Sequence, residues 1–411
     1  MNAQITSPAA LECRECHARY PVEAITICDE CFGPLEPAYD LGAIDGALFR
    51  KQVEAGPASL WRYEALLPGG PDLPRVDLGA GFTPLRRADR LAERLGIETL
   101  WIKDDSVNPS NSFKDRVVSV AISMARAFGF GTISCASTGN LANATAAHAA
   151  KAGTPAYVFV PDDLEPAKIL ATEAYGAKVV AVKGNYDDVN RLCSEVAEAL
   201  PWAFVNVNMR PYYAEGSKSL GFEVAEQLGW RLPDHVVVPI ASGALMTKIH
   251  RAFRELAEIG AVSEHPYRIS GAQAEGCSPV AQAFAAGVED VRPVKPNTIA
   301  RSLAIGSPAD GRYAIQTAKA TGGVIDACTE AEVIDGIRLL AETEGVFTET
   351  AGGVTIAVLR RLAEAGVVEP QHETVALITG NGYKTVDALE GILEPTFHIA
   401  PDLDEFLAAL G

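Results

Sequence analysis

Lys114 stands in a segment whose residue types suit covalent chemistry at an amine. The segment 108–116 reads N-P-S-N-S-F-K-D-R, and the apolar stretch 117–128 that follows predicts a helix. An amine at a helix entrance faces the positive end of the helix dipole, which favours its neutral form. A neutral amine is what Schiff-base chemistry requires. By itself the segment fits equally well a solvated lysine in a polar turn, with Asp115 and Arg116 as an exposed ion pair.

Three loops rich in glycine and hydroxyl residues supply a second chemical signal. Each follows a short apolar run that predicts a strand. Loops of this kind expose backbone N–H groups, which bind anions and phosphate above all. One such loop is weak evidence, but three of them after strands indicate a phosphorylated cofactor across the sheet ends. The loops are 137–140 (S-T-G-N), 242–244 (S-G-A) and 379–382 (T-G-N-G).

Four cysteines near the N-terminus have the spacing of a zinc ribbon. Cys13 and Cys16 form one C-x2-C pair, Cys28 and Cys31 form the second, and eleven residues separate the pairs. Thiolates at this spacing suit a closed tetrahedral zinc site, which would stabilise a segment too small to bury its own core. A ribbon that binds no metal is the alternative. In either case four thiolates leave no open coordination position, so the module is predicted to be structural.

Strands and helices alternate along most of the chain. Nearly continuous apolar runs between helical stretches are typical of parallel sheets that are covered on both faces. The predicted strands are 132–136, 156–160, 178–182, 203–207, 235–240 and 374–378, and the predicted helices are 117–128, 141–152, 166–175, 186–200, 217–228 and 245–259. These units predict an α/β fold with two open, twisted, mostly parallel sheets flanked by helices. Ligands of such sheets bind at the carboxyl ends of the strands.

Length and composition limit the classes of protein to which the chain can belong. Its 411 residues suggest two or three domains, and 48% hydrophobic with 21% charged residues is ordinary for a soluble globular protein. A net charge of −18 repels phosphodiester backbones, so nucleic acid is not expected as a partner. No apolar run reaches bilayer length and no secretory signal is evident. We therefore expect no membrane partner, a cytoplasmic location and reduced cysteines.

Together these motifs resemble those of fold-type II pyridoxal-phosphate enzymes, the tryptophan-synthase-β-like superfamily, and within it the threonine synthases. The resemblance covers nearly the whole chain. It rests on S-F-K-D-R after N-P, on G-F-T-P-L at 81–85, on E-G-S-K-S at 215–219, on the S-T-G-N and T-G-N-G loops, and on the Cys-rich head followed by P-L and Y-D at 34–35 and 39–40. We expect a zinc-ribbon-like module at 1–40, a connector at 41–75, a large cofactor-binding domain at 76–118 and 229–411, and a small α/β domain at 119–228.

The resemblance implies roles for the residues around the cofactor, pyridoxal 5′-phosphate. Lys114 would hold the cofactor as a Schiff base, remove the substrate α-proton and later move a proton at Cβ. Asn140 would hydrogen-bond the phenolic oxygen, and Thr379 would face the pyridine nitrogen. A hydroxyl there leaves the nitrogen largely neutral, which suits elimination and replacement over transamination. The cofactor phosphate would lie on Ser242, Gly243, Ala244, Leu245 and Met246, where the family often has more glycine.

Each of these loops also has a plain structural interpretation. Residues 137–140 could be an ordinary helix N-cap, which is compatible with a binding role because a helix start has free donors. Residues 242–246 could form a tight turn that binds nothing. Thr379 could be a buried threonine at the end of a strand.

The substrate end of the site departs from the pattern of the family. Ser137 and Thr138 would cradle the substrate carboxylate. Threonine synthases carry an arginine two residues before E-G-x-K that helps to bind the substrate phosphate, and Tyr213 occupies that place here. We hypothesise that Arg210, three residues upstream, takes the anion, because a guanidinium matches phosphate oxygens. Further candidates are Asn206, Asn208, Ser217 and Lys218.

The implied activity is conversion of O-phospho-L-homoserine and water to L-threonine and phosphate, with a homodimer as the assembly. Three alternatives remain. One is a β-replacement enzyme of the cysteate synthase type, and a second is a threonine or serine dehydratase. The dehydratase is disfavoured because its substrate has no phosphate and its relatives usually lack the Cys-rich head. The third is a zinc-ribbon interaction protein whose α/β body has lost catalytic activity. The presence of Lys114, Asn140 and Thr379 argues against this third alternative.

Overall fold

The structure, a computed structural model, describes residues 8–410 apart from 138, 163, 165 and 185, and leaves out the side chains of 166–168 and 187. The described strands are β1 (Ala10–Cys13), β2 (Arg19–Tyr20), β3 (Leu35–Ala38), β4 (Leu85–Arg87), β5 (Thr99–Asp104), β6 (Ile133–Ala136), β7 (Ala156–Pro161), β8 (Lys178–Val182), β9 (Ala203–Phe204), β10 (His235–Pro239), β11 (Arg268–Ala274), β12 (Ile325–Cys328) and β13 (Glu373–Ile378).

Helices separate most of these strands. The α-helices are α1 (Gly46–Glu54), α2 (Asp89–Leu95), α3 (Lys114–Ala127), α4 (Asn140–Ala152), α5 (Pro166–Ala174), α6 (Tyr186–Ala199), α7 (Arg210–Gly216), α8 (Lys218–Gln227), α9 (Ala244–Glu258), α10 (Pro279–Ala285), α11 (Gly311–Thr321), α12 (Glu330–Glu344), α13 (Thr350–Glu364) and α14 (Leu403–Leu410). Short 3-10 turns lie at Leu41–Ala43, Leu60–Leu66, Asp105–Val107, Arg301–Leu303, Gly382–Lys384 and Val386–Leu389. No helix among the described residues has the length and apolarity to span a membrane.

The larger sheet has six strands in the order β12-β11-β10-β13-β5-β4, and only the edge pair β4–β5 is antiparallel. Successive side chains of a strand point to opposite faces. In β10, Val236 and Val238 accordingly belong to one apolar core, whereas Val237 belongs to the other. Helices α9 and α11 pack on the first face, and α12 and α13 contribute to the second core. Burial on both faces explains why β10 reads as a continuous apolar run.

The smaller sheet has four parallel strands in the order β8-β7-β6-β9. Helix α4 packs beside β6 and β7, and α6 packs against the same strands with Val189 and Cys193 in a core that includes Phe204. The predicted fold class, two open α/β sheets flanked by helices, is therefore confirmed, and the four-cysteine cluster is present at the N-terminus.

Several elements differ from the sequence prediction, which did not include β5, β12 or the helices α10 to α13. The strand predicted at 203–207 is only two residues long, because the chain turns where Val207 N–H donates to Phe204 O at 3.0 Å. The helix predicted at 217–228 is preceded by a further helix, α7, so that Arg210 begins a helix and is not part of a loop. Strand β11 was not predicted, because it carries the buried polar residues Ser270 and Gln273, which hydrogen-bond neighbouring elements.

The N-terminal head is a three-stranded antiparallel sheet in the order β2-β1-β3. It is fastened to the α/β body by buried charges. Glu36 on β3 forms ion pairs of 2.9 Å with Lys248 and with Arg251 of α9. Tyr212 of α7 donates a hydrogen bond of 2.7 Å to Glu23 O in the head. These contacts hold the head beside α7 and α9, on the side of the body where the cavity described below opens.

Candidate active site

The loop before α3 is ordered by a buried aspartate. Asp115 accepts hydrogen bonds from Ser110 N–H at 2.8 Å and Ser110 Oγ at 2.9 Å, and it faces His148 Nε2 at 3.1 Å. Asp115 and His148 are completely buried. Asp115 is therefore not one half of an exposed pair with Arg116, as the plain interpretation of the segment required. Its hydrogen bonds set the turn that places Lys114 at the first position of α3.

The backbone joins the lysine loop to the loop after β13. Phe113 N–H donates to Thr379 O at 2.9 Å, and Asn381 N–H donates to Asn111 O at 3.1 Å. Strand β13 also pairs in parallel with β5, which leads into the lysine loop. Lys114 and Thr379, which are 265 residues apart in sequence (379 − 114), consequently line the same cavity.

The Lys114 amine lies among aromatic rings. Its Nζ is 5.3 Å from the ring centroid of Phe113 and 5.7 Å from that of Tyr213. Within the described part of the chain, Nζ forms neither a hydrogen bond nor an ion pair. A half-buried amine without a carboxylate partner is available for bonding to a ligand.

A buried charge cluster supports α3 from behind. Arg116, fully buried, forms ion pairs with Asp105 and Glu223, and Lys103 contacts Glu223 at 2.7 Å. The Glu223 carboxylate also accepts hydrogen bonds from the N–H groups of residues 82 and 83, which fastens the G-F-T-P-L segment to α8. Burial alone would raise the pKa of Glu223, but Arg116 and Lys103 lower it to about 2. Two cations thus balance two carboxylates, as buried charges require.

The loop after β10 forms the start of α9, a helix of 15 residues. Gly243 has φ +97°, and a side chain there would come within 2.7 Å of Asp310 O, so only glycine fits without strain. Ser242, Ala244 and Leu245 line the cavity. Gly243 and Met246 do not line it, and Met246 is fully buried. Because Ala244 and Leu245 line the cavity, the start of α9 lies at its wall, and the first N–H groups of a helix are donors suited to an anion.

The loop after β6 begins α4. Ser137 Oγ accepts hydrogen bonds from Gly139 N–H at 3.1 Å and Ala142 N–H at 2.9 Å, so it satisfies a helix N–H although the N-cap residue itself is Gly139. Ser137 and Asn140 both line the cavity. Thr138, predicted to bind the substrate carboxylate, lies outside the described residues.

The sequence-predicted residues of the substrate end divide into two groups. Arg210 and Ser217 line the cavity, and so does Asn206. Arg210 is paired with Asp310 at 2.8 Å. Asn208 and Lys218 do not line it.

Asn208 and Lys218 have structural partners of their own. Asn208 caps the turn after β9, accepting from Phe204 N–H at 2.8 Å. Lys218 is fully buried between Glu215 at 2.7 Å and Glu255 at 2.8 Å. Burial lowers the pKa of Lys218, and these two carboxylates oppose the shift.

Several cavity residues escaped the sequence prediction. Glu349, at the start of α13, is buried and accepts a hydrogen bond of 2.8 Å from Asn140 Nδ2. Tyr213 occupies the place of the family arginine and faces the Lys114 amine. Arg301 and Asp310 belong to segments without a recognisable motif. Only the position of Tyr213 relative to E-G-S-K could have indicated a place in the site.

The residues of the cavity fit pyridoxal phosphate. The cavity has a volume of about 650 Å³, within the range of pockets for small-molecule cofactors with substrates. It contains an amine that can bond to an aldehyde, the N–H groups of a long helix start for a phosphate, and the hydroxyl of Thr379. The side chains that would hold the cofactor are thus Lys114, Asn140, Ser242 and Thr379.

The comparisons with known proteins agree with this geometry. Residues 76–380 match the family model of pyridoxal-phosphate dependent enzymes. A threonine synthase of Methanocaldococcus jannaschii is 34% identical over 395 residues, covering 95% of this chain and 97% of that protein. A threonine synthase of Methanosarcina acetivorans is 33% identical over 407 residues, covering 97% and 98%.

Solved structures share the fold at lower identity. Maize serine racemase superimposes with a TM-score of 0.63 at 20% identity, covering 75% of this chain and 91% of that one. Threonine deaminase isoform 2 of Solanum lycopersicum gives a TM-score of 0.63 at 21% identity, covering 85% and 89%. These likenesses concern the fold, whereas the full-length sequence matches concern the family. The chain belongs to the pyridoxal-phosphate-dependent enzymes and, within them, to the threonine synthase family of lyases.

Proposed function

We propose that this enzyme converts O-phospho-L-homoserine and water to L-threonine and inorganic phosphate. The observation that carries the proposal is one cavity lined both by Lys114, whose amine has no hydrogen bond or ion pair among the described residues, and by Arg210. Such a cavity suits a substrate that has an α-amino group at one end and a phosphate at the other. The names of the full-length relatives support the same reaction.

Bound pyridoxal phosphate supplies an electron sink for negative charge at the substrate Cα. The other steps belong to residues of this chain. Lys114 Nζ accepts the α-proton and subsequently moves a proton at Cβ, since its amine has no competing partner among the described residues. The phosphate then leaves from Cγ, a proton is added at Cγ to give the methyl group, water adds at Cβ, and a proton returns to Cα. Thr379 would offer the pyridine nitrogen a neutral hydroxyl, which would keep negative charge near the substrate carbons.

Asn140 and Glu349 act as a pair on the cofactor side. The Glu349 carboxylate holds the Asn140 amide by the hydrogen bond of 2.8 Å, which turns the Asn140 side chain in a defined direction. We infer that Asn140 orients the cofactor ring and that Glu349 is a positioning residue, because a fixed amide costs less to order on binding. Ser137 and the N–H groups at the start of α4 bind the substrate carboxylate.

Arg210 binds the substrate phosphate in this proposal. Its present partner, Asp310, holds the guanidinium at the cavity wall at 2.8 Å and reduces its net charge. A phosphate dianion competes with that carboxylate, since guanidinium–phosphate pairs can be bidentate. Ser217 and Asn206 line the same cavity and add neutral donors.

The experiment that tests the function is phosphate release from two substrates by the purified enzyme. O-phospho-L-homoserine should release phosphate with stoichiometric formation of L-threonine, and O-phospho-L-serine should release far less. Added pyridoxal phosphate should restore activity to enzyme that has been stripped of it. Faster turnover of phosphoserine would replace the proposal with a β-replacement activity, and no phosphate release from either would refute it.

A further inference from the structure

The two C-x2-C segments of the head have the same backbone conformation. In each, the residue after the second cysteine has a positive φ although it is not glycine, 62° at His17 and 60° at Phe32. Each of these residues donates its N–H to the carbonyl of the first cysteine, Cys13 or Cys28, at 3.0 Å. In each, the second residue after the first cysteine donates its N–H to that cysteine's Sγ at 3.4 Å. Positive φ is costly for side-chain-bearing residues, so its repetition indicates two loops shaped for a shared purpose.

The four sulfur atoms converge between these loops. All lie within 4.8 Å of one another, with Cys13–Cys31 at 3.4 Å and Cys16–Cys28 at 3.5 Å. Zinc–thiolate bonds of about 2.3 Å in a tetrahedron separate the sulfurs by about 3.8 Å. A disulfide requires about 2.0 Å, and all four cysteines are free thiols. A side chain at Gly33 would approach Cys13 Sγ to 2.8 Å, so glycine is required beside the cluster.

The second C-x2-C loop forms part of the cavity wall. Ile27 and Pro34 close it by a β-bridge, and Thr26, Ile27, Phe32 and Pro34 line the cavity. Ile27 and Phe32 are 56% and 81% exposed, which is unusual for such large apolar side chains. Because these exposed side chains line the cavity, they can contact a bound ligand.

The first C-x2-C loop reaches the same cavity through Tyr313. The Tyr313 hydroxyl donates a hydrogen bond to Glu15, and the Arg14 guanidinium lies 3.8 Å above the tyrosine ring. Tyr313 itself lines the cavity. The second loop thus lines the cavity, and the first loop reaches it through Tyr313. The sulfur cluster lies between the two loops and adds to the backbone contacts that join them, such as the hydrogen bond of 3.0 Å from Arg14 N–H to Pro34 O.

We propose that Cys13, Cys16, Cys28 and Cys31 bind one thiophilic divalent ion of the zinc class, and that this ion orders the two C-x2-C loops of the head, the second of which forms the outer wall of the active-site cavity. Four thiolates select such an ion over oxygen-preferring cations. Loss of the ion frees the two loops, since the small head has little core of its own. Substrate binding then weakens while the cofactor stays attached, because no residue predicted to hold the cofactor belongs to the head. The effect on substrate binding rests on the proposed function.

Metal content tests the first half of the proposal on the purified holoenzyme. Elemental analysis should find one zinc ion per chain in the wild type and in Cys328→Ser, a control at a buried cysteine far from the head. Cys31→Ser should lose the ion. Reconstitution of stripped enzyme with Co²⁺ should give the visible absorption of a tetrahedral thiolate site. Substoichiometric metal together with no cobalt spectrum would overturn the metal site, and one equivalent of iron would replace zinc as its occupant.

The role of the second C-x2-C loop as a cavity wall is tested by comparing the KM of enzyme that has lost the metal with the KM of enzyme that has lost one wall side chain but keeps the metal. Metal-stripped enzyme, Cys31→Ser and Phe32→Ala should each raise KM for O-phospho-L-homoserine roughly threefold to tenfold, as expected when one or two wall side chains lose their order, with a smaller change in kcat. Phe32→Ala should keep its metal. All three should retain the absorbance of the bound cofactor. Unchanged KM in all three would overturn the wall.

A probe that is independent of substrate separates the two proposals. Hydroxylamine removes the cofactor at a rate set by access to the cavity, and this rate should rise in the same three samples by a similar factor. If the wild type releases no phosphate from phosphohomoserine, the proposed function fails, while metal content and hydroxylamine rate still decide the metal wall. If Cys31→Ser does not fold, chelator-stripped wild type and Phe32→Ala carry the test.

Discussion

The two ends of the cavity are built by different means. At the cofactor end, main-chain hydrogen bonds join the Lys114 and Thr379 loops, and fully buried charges hold α3 from behind. At the outer end, Arg210 belongs to α7, whereas Ile27 and Phe32 belong to the second C-x2-C loop, and all three keep part of their surface exposed. The comparison teaches that the residues proposed to hold the cofactor are anchored in the core. The residues proposed to contact the substrate are side chains that can change without unfolding the protein.

Substitutions at the two ends of the cavity should also differ in their effect on the free energy of unfolding. Removing one partner of a buried charge cluster leaves an uncompensated charge, which costs about 3–5 kcal/mol. Removing a side chain at the outer end exposes little that was buried and leaves the fold intact. Substitutions at the cofactor end should therefore affect both stability and chemistry, whereas those at the outer end should affect mainly substrate affinity.

Lys114→Ala tests the cofactor end most severely. We expect loss of the cofactor absorbance band and a fall in kcat on the order of 10²–10⁴ or more, since the amine both holds the cofactor and transfers protons. Lys178→Ala, at a surface lysine on β8 with a hydrogen bond to Tyr157, is the matched control and should keep both. A spectrum and turnover assay suffices, and a fully active Lys114→Ala enzyme with an unchanged band would remove the basis of the proposed function.

Glu223→Gln tests the charge cluster behind α3. Arg116 and Lys103 would lose their shared carboxylate, so the free energy of unfolding should fall by about 3–5 kcal/mol in urea titration. The surface control Glu195→Gln breaks an exposed pair with Arg191 and should cost at most about 1 kcal/mol. Equal losses in the two variants would show that the cluster is not a structural anchor.

The same cluster predicts a dependence on pH. Folding lowers the pKa of Glu223 from 4.5 to about 2, so its contribution is present above pH 4.5 and is lost as pH falls toward 2. The shift corresponds to about 3 kcal/mol. Unfolding measured between pH 5 and pH 2.5 should therefore show a shallower decline in Glu223→Gln than in the wild type. Parallel curves would contradict the assignment of this carboxylate as the titrating group.

Glu349→Ala tests the hydrogen bond between Glu349 and Asn140, which no sequence motif predicted. Asn140 loses its charged acceptor, which is worth about 1.5–3 kcal/mol, so kcat should fall roughly tenfold to a hundredfold. Glu349→Gln keeps an acceptor oxygen and should retain more activity. The cofactor band should shift in Glu349→Ala while KM changes little. A change confined to KM would place Glu349 at the substrate and not at the cofactor.

Arg210→Ala tests the outer end and should have the smallest effect. The guanidinium is partly exposed and shared with Asp310, so we expect KM for phosphohomoserine to rise about tenfold, or about 1.4 kcal/mol, with stability unchanged. Arg191→Ala, on the exposed face of α6, is the control. If Arg210→Ala left turnover of the phosphorylated substrate unaltered, another group, such as Arg301, would have to bind the phosphate.

A run of apolar residues predicts a strand well when both faces of that strand pack against apolar side chains. Strands β10 and β13 lie in apolar surroundings on both faces, so their residues form continuous apolar runs. Strand β11, beside β10 in the same sheet, carries Ser270 and Gln273, whose side chains hydrogen-bond His235 of β10 and the first N–H groups of α10. Its strand character depends on those partners, and no local pattern contains them.

The amino-acid sequence alone determined the family, the lysine at a helix start, the small-residue loops after strands and the paired cysteines. These are local features, because the backbone conformation and the chemical groups of each motif are set by residues that are adjacent in sequence. Only the tertiary structure decided that Asn208 and Lys218 serve the fold, that Glu349 faces Asn140, and that the second C-x2-C loop lines the cavity. Each of those contacts is between residues of separate segments. The packing of the sheets and helices brings these residues together, so the distances between them cannot be inferred from adjacent residues.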